Sequence, residues 1–284
     1  MKILAALVAL VLAASPALAA RPLYTIYTGT PKGTYLQIAE DIQRACPMFE
    51  INIEQTQGTL QNLNALITVP VVKNGYRFAF AQKDALDTIT SAEPLAKQVY
   101  KVVSPLYKEE ISILVNKSSN IRTLADLNGK KVAGGTPGSG AWFTSTAIRN
   151  ALGLKWTQID KSREESILMV LTGEVDAMIA VGGAPNRLFQ ELGKSMSERI
   201  ALLPITSPQL DKIYATTKIP ARTYLWQDEE VVTKSTQSIL VAAADVPDSA
   251  IKELQTCLAR NLSSIRKFGH PKWQEITMSL PAQS

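Results

Sequence analysis

Residues 134–143 read GGTPGSGAWF, a glycine-rich turn that runs into the start of a helix. Gly135 and Gly140 have the separation of a Walker phosphate loop, which continues with Lys and then Ser or Thr. Ala141 and Trp142 stand in those two places. The cation that reaches the phosphates and the hydroxyl that holds Mg²⁺ are both missing, so nucleotide chemistry is not supported. What remains is a set of backbone N–H groups at a helix N-terminus, suited to a small anion or a polar ligand. A plain strand-to-helix turn would use the same letters. Residues 131–133 precede the turn as a strand. Phe143, Ala147, Ile148, Ala151 and Leu152 follow it at helical spacing, up to Gly153.

The same strand–turn–helix unit recurs along the chain. Residues 23–28 (LYTIYT) predict a strand, 29–33 a turn, and Tyr35, Ile38, Ala39, Ile42 and Ala45 one face of a helix that ends near Pro47. This first turn shares Gly-Thr-Pro with the quoted one, and both place an aromatic residue just inside the helix. Further strands are expected at 49–53, 76–81, 110–116, 175–181 and 238–243. Helices are expected after Gln57-Gly58-Thr59, from Gln82-Lys83-Asp84, over 165–171, from Pro185 and over 247–262. Alternating strands and helices predict an α/β fold with mostly parallel strands. Ligands of such sheets sit outside the carboxyl ends of the strands. Two halves that each present a helix N-terminus would make a cleft with positive partial charge on both walls.

The N-terminus reads as a processing segment. Lys2 supplies a positive start, 3–14 is an apolar run, and Ala17-Leu18-Ala19 is a small-x-small cleavage site. Residues 1–19 are therefore expected to be a cleaved signal peptide, with a mature chain from Ala20 in the periplasm. The 284 residues carry 30 Lys and Arg against 25 Asp and Glu, and the basic residues are scattered. A nucleic-acid footprint would be clustered; a mild positive excess suits capture of anions. The single histidine, His270, lies in Gly269-His270-Pro271, which reads as a surface or turn residue. Neither a His/Cys metal cluster nor a Ser-His-Asp triad is supported, and no cofactor is implied. Cys46 and Cys257 are an even pair in an exported chain, which favours a disulfide over two buried thiols.

In order along the chain, several short motifs resemble the TAXI family, the solute-binding subunits of TRAP transporters. Thr28-Gly29-Thr30 through Gly33-Thr34-Tyr35 resembles that family's first turn. Gln57-Gly58-Thr59 with Asn62-Leu63 resembles its second, and Gln82 with Asp84 its Gln-x-Asp. Leu106-Tyr107 with Glu109 resembles its Leu-Tyr-x-Glu. Leu127 to Val132 and Pro137-Gly138-Ser139-Gly140 resemble its central block, followed by Val175-Asp176-Ala177, Gly183-Ala184-Pro185, and Ile219-Pro220-Ala221 with Tyr224. Lys32 within the first turn, Gln57 for Ser, Ala141 for Thr, and bulky Trp142 depart from the pattern at positions that would line the ligand.

The resemblance implies a two-lobed, type II-like periplasmic binding protein with the ligand cleft between the lobes. Lobe one would be 20–112 plus 240–284, and lobe two 113–239, with hinge strands near 110–114 and 238–241. Both cysteines would then fall in lobe one. Backbone N–H groups of 33–35 and 139–141 would hold a carboxylate of a small organic anion such as glutamate or 2-oxoglutarate. Thr28, Gly29, Thr30, Thr34, Gln57, Gly58, Thr59, Asn62, Gln82, Asp84, Pro137, Gly138, Ser139, Gly140, Gly183, Ala184 and Pro185 would complete the site. Tyr35 and Trp142 would flank the apolar part, and Lys32 would meet a second carboxylate. The partner would be a TRAP-type membrane permease engaged by a monomer. A sensory ligand-binding component, an ABC-type binding protein or an exported hydrolase are the alternatives.

Overall fold

A computed structural model describes residues 21–70 and 75–281, so the expected signal segment lies outside the described residues. The chain opens with β1 (Leu23–Tyr27), α1 (Thr34–Ala45), β2 (Glu50–Glu54), α2 (Thr59–Thr68), β3 (Gly75–Gln82) and α3 (Lys83–Ala92). The long β4 (Tyr100–Asn116) leads to β5 (Lys131–Ala133), α4 (Gly140–Leu152), β6 (Thr157–Ile159), α5 (Arg163–Thr172), β7 (Ala177–Gly182) and the short α6 (Arg187–Gln190). Then come β8 (Ile200–Leu203), β9 (Ala215–Ile219), the long β10 (Val231–Ala243) and α7 (Asp248–Phe268).

The strands join one curled sheet in the order β2-β1-β3-β10-β4-β7-β5-β6, with β8 beside β4 and β9 beside β10. The βα units pair in parallel, β1 with β2 and β3, and β5 with β6 and β7. The expectation of a mostly parallel sheet needs correcting. β4 and β10 run antiparallel to each other and to each neighbour they pair with. Both are also longer than the expected strands 110–116 and 238–243. The first halves of these strands, YKVVSPLYKE and VVTKSTQ, mix polar and charged residues that hide the period of a buried strand.

These two strands pass through separate cores, which makes the molecule two-lobed. Val103, Leu106 and Tyr107 of β4 and residues 239–243 of β10 pack in one apolar cluster with β1, β3, α1, α2 and α7. Further along β4, Ile111, Ile113 and Val115 belong to a second cluster with Ile148 of α4 and Val181 of β7. A third, holding Leu114, Ile167, Phe189, Tyr224 and Trp226, covers the other face of that half of the sheet. Between the cores, β4 carries Glu109 and Glu110, and β10 carries the polar run Thr233 to Ser238, nearly all buried.

Cys46, just past α1, is bonded to Cys257 of α7, with their Cα atoms 6.0 Å apart. Both cysteines are buried in the first core, so the bridge ties α1 to α7 inside one lobe. His270 is in a turn, as its neighbours suggest, but it is not on the surface. It is buried and caps the 3-10 turn Pro271–Gln274, where its Nδ1 accepts from Lys272 N at 3.2 Å. Burial pulls its pKa down.

Candidate functional site

Five helices start at one place. The N-cap residues of α1 (Gly33), α2 (Gly58), α3 (Gln82), α4 (Ser139) and α5 (Ser162) all line a single cleft between the lobes. The cleft opens to solvent at its mouth and holds a cavity of about 70 Å³. The parallel βα units explain the convergence, because each helix begins at the carboxyl end of the strand before it. A helix start carries roughly half a positive charge and N–H groups without a partner in the helix; here the Gly138 carbonyl meets those of α2, Ser139 and Ser162 cap α4 and α5, and α1 and α3 have no side-chain cap. Glycines in the turn before α4 and at its first position let backbone come close. A Cβ on Gly140 would collide with Gln82 Oε1 at 2.2 Å, and one on Gly135 would meet Ser139 Oγ at 2.8 Å. Gly135 also takes φ 90°, a value that side chains disfavour.

Two charged side chains face into this polar end. Arg163, the first residue of α5, lines the cleft and donates from Nη2 to Val181 O at 2.8 Å. Burial lowers its pKa, opposed by Glu164 and Glu109. Glu109 of β4 is 2% exposed and lines the same cleft. Burial pushes its carboxyl up to about 8, against a hydrogen bond from Tyr35 and the attraction of Arg163. Tyr35 stacks on Phe80 with ring centres 5.1 Å apart, and its hydroxyl lies 3.3 Å from Thr59 Oγ1. Met178, Ile179 and Val181 of β7 form an apolar wall.

Twelve of the residues singled out from sequence come together here: Gly29, Thr30, Gly33, Thr34, Tyr35, Gln57, Gly58, Thr59, Gln82, Ser139, Gly140 and Ala141. Ten do not line the cleft, and the structure shows what they do instead. Thr28 Oγ1 donates to Glu54 O at 2.9 Å. Asn62 is a buried pin, donating to Thr28 O and Phe80 O and accepting from Thr56 Oγ1. Lys32 pairs with Glu191 at the surface and is not among the residues lining the cleft. Asp84 accepts from Thr236 Oγ1 at 2.6 Å. Pro137 is exposed, and the Gly138 carbonyl accepts from Leu60 N and Gln61 N across the cleft, both at 3.0 Å. Trp142 is half-buried away from the cavity, while its N–H donates to Ser139 Oγ at 3.1 Å.

The 183–185 turn packs behind the cleft. Gly183 O accepts from Thr34 Oγ1 at 3.3 Å, and Ala184 N donates to Glu110 Oε2 at 2.7 Å. The Ala184–Pro185 bond is cis. α6 begins at Arg187 with Asn186 as its cap, so Pro185 lies before the helix rather than at its start. Glu110 is held in turn by buried Lys272, whose Nζ lies 2.6 Å from Oε1.

Sequence reasoning missed Glu109, Arg163, Ser162, Ser166 and the β7 wall. A signal for α5 was present. Ser162 and Glu165 form a capping box, which starts the helix at Arg163 instead of Glu165.

The two-lobed architecture is shared with solved structures. MatC from Rhodopseudomonas palustris with bound malate is 13% identical, at a TM-score of 0.57 over 87% of this chain and 87% of that one. The periplasmic binding protein BugD is 14% identical, at 0.57 over 90% and 86%. The GluR0 ligand-binding core from Nostoc punctiforme, in complex with L-glutamate, is 14% identical, at 0.54 over 89% and 96%. These likenesses establish the fold as that of two-lobed periplasmic binding proteins. A model of the NMT1-like family matches residues 26–280, and the chain belongs to that family.

Proposed function

We propose that the protein is a periplasmic solute-binding protein, not an enzyme, that captures a small carboxylate in the interlobe cleft and passes it to a TRAP-type permease as a monomer. The observation that carries this reading is the convergence of five helix starts on one cleft, those of α1 and α3 without a side-chain cap, with Arg163 beside them. Such a place stabilises an anion through backbone donors, aligned dipoles and a guanidinium fork. Glutamate, 2-oxoglutarate and related acids fit that chemistry. The fold relatives with malate and with L-glutamate support a ligand of this size. The ordered TAXI-like motifs support that subfamily and its permease partner. Lobe one is proposed as 20–112 with 240–284 and lobe two as 113–239, hinged where β4 and β10 cross. Affinity then comes from closure, because the ligand binds the closed state better than the open one.

Thermal melting of the mature protein with a panel of small carboxylates tests this. A ligand at about 100 times its Kd adds roughly 2.7 kcal/mol. For a chain of this size that raises Tm by roughly 5–10 °C. Protein free of co-purified ligand that shows no shift with any carboxylate would overturn the reading.

A further inference from the structure

A cleft that holds only carboxylates has no use for Glu109. It shares the cavity with Arg163 and attracts it, yet the two form no contact ion pair among the described residues. Both charges therefore border the cleft without being spent on each other. A buried carboxyl without a full set of partners is costly to keep, and the hydrogen bond from Tyr35 supplies one partner only.

A second acceptor lies in the same lining. Gln82 is 1% exposed, and its Nε2 donates to Thr144 Oγ1 at 3.3 Å. Gln82 Oε1 is left buried with no hydrogen-bond partner. Gln82 Oε1 has no donor and Glu109 has one, Tyr35, whereas an ammonium group provides up to three.

We propose that Glu109 and Gln82 form an ammonium subsite, and that the cleft takes α-amino acids in preference to the matching 2-oxo acids. The inference rests on the carboxylate reading above. Arg163 and the helix N-termini take the carboxylate, Glu109 and Gln82 take the ammonium, and Met178, Ile179 and Val181 face the side chain.

The proton balance makes the subsite visible. With its carboxyl raised to about 8, Glu109 is mostly protonated at pH 7. An ammonium binds the ionised form, so amino-acid binding at pH 7 releases a proton. Affinity should rise roughly tenfold per pH unit up to about pH 8 and then level off. A 2-oxo acid gains nothing from ionised Glu109, and its affinity stays flat and then falls above pH 8. Tyr35, Asp84, Arg163 and Glu110 also act on Glu109. A Glu109→Gln variant separates its titration from theirs.

The experiment is calorimetric titration at pH 6, 7 and 8, in buffers of different ionisation enthalpy. The probes are matched pairs: L-glutamate with 2-oxoglutarate, L-leucine with 4-methyl-2-oxopentanoate, and L-alanine with pyruvate. For at least one pair the amino acid should bind tenfold or more tightly than its 2-oxo acid at pH 8, with proton release at pH 7. In Glu109→Gln that amino acid should weaken at least tenfold and lose its pH slope, while the 2-oxo acid is unchanged. The wild-type proton release and pH slope decide the matter even if the variant folds poorly. If the 2-oxo acids bind equally or more tightly, or no proton is released, the ammonium subsite is wrong and the carboxylate reading stands. Binding by no member of any pair overturns both.

Discussion

Replacing Glu109 with glutamine should make the ligand-free protein more stable at high pH and change it little at low pH. The Glu109 carboxyl is raised from its ordinary 4.5 to about 8, mainly by burial. Between those two values the folded protein holds a proton that the unfolded chain has released, so stability must fall as pH rises through that window. At roughly 1.36 kcal/mol per pH unit, the full penalty of the ionised form approaches ~5 kcal/mol. About a fifth of it is already present at pH 5 and nearly all of it at pH 9. Glutamine keeps the shape and can still accept from Tyr35, but it never ionises. The stability of Glu109→Gln relative to wild type should therefore grow by roughly 4 kcal/mol from pH 5 to pH 9. Asp84 and Glu110 are also raised by burial, and both proteins contain them, so they cancel in the difference. Urea unfolding of the two proteins across this range measures the gap. Curves that stay parallel to within about 1 kcal/mol would refute the claim that Glu109 is desolvated.

Arg163→Met should cost a carboxylate ligand roughly 30- to 1,000-fold in affinity, the usual loss for removing one partner of a buried charge pair. Lys32→Met should cost little, because Lys32 lies outside the cleft; titration of both variants with the same acid separates them. Lys272→Met strands Glu110, since both side chains of that pair are almost fully buried. It should destabilise by about 3–5 kcal/mol in urea, and Glu110→Gln added to Lys272→Met should recover most of the loss. Replacing Cys46 and Cys257 with alanine opens a cross-link spanning 211 residues. The expected loss is about 2–5 kcal/mol by denaturant unfolding, with ligand affinity unchanged because the bridge lies within one lobe.

The βα units were legible in the sequence because each satisfies a local rule. β1, β3 and β7 are short apolar runs, and α1 and α7 carry apolar residues at helical spacing. Glycine caps then marked the helix starts, and the cleft forms where those starts meet. β4 and β10 obey no such rule. They leave one core and enter another, and the crossing uses buried polar residues whose partners come from distant segments. Thr233 donates to Ile111 O, Lys234 pairs with Asp211, and Thr236 donates to Asp84. No window of sequence contains those partners. Glu109 illustrates the limit: it stands in a motif that resembles one of a known family, but only the fold shows it buried in the same cleft lining as Arg163. Lys32 shows the converse: its place in a glycine turn at a helix start is legible in the sequence, while its ion pair with Glu191, 159 residues away, is not.

The cross-cleft bonds explain why closure and ligand capture depend on the same atoms. Gly58, the cap of α2, offers no side chain, and the first N–H groups of that helix are satisfied by the Gly138 carbonyl from the facing lobe. Thr136 Oγ1 donates to Gln57 Oε1 at 2.8 Å beside that contact, and Gln82 reaches Thr144 below it. Opening the lobes returns these donors to water, where hydrogen bonds are replaced at a net cost of only about 1 kcal/mol each. Such bonds set the geometry of the closed state without making it dominant on their own. The Gly138 carbonyl also spends the positive end of α2 on the protein itself. The uncapped starts of α1 and α3, with Arg163 at the start of α5, are left to act on whatever enters. A ligand that bridges Arg163 on one lobe and Glu109 on the crossing strand therefore adds the differential affinity that closure requires.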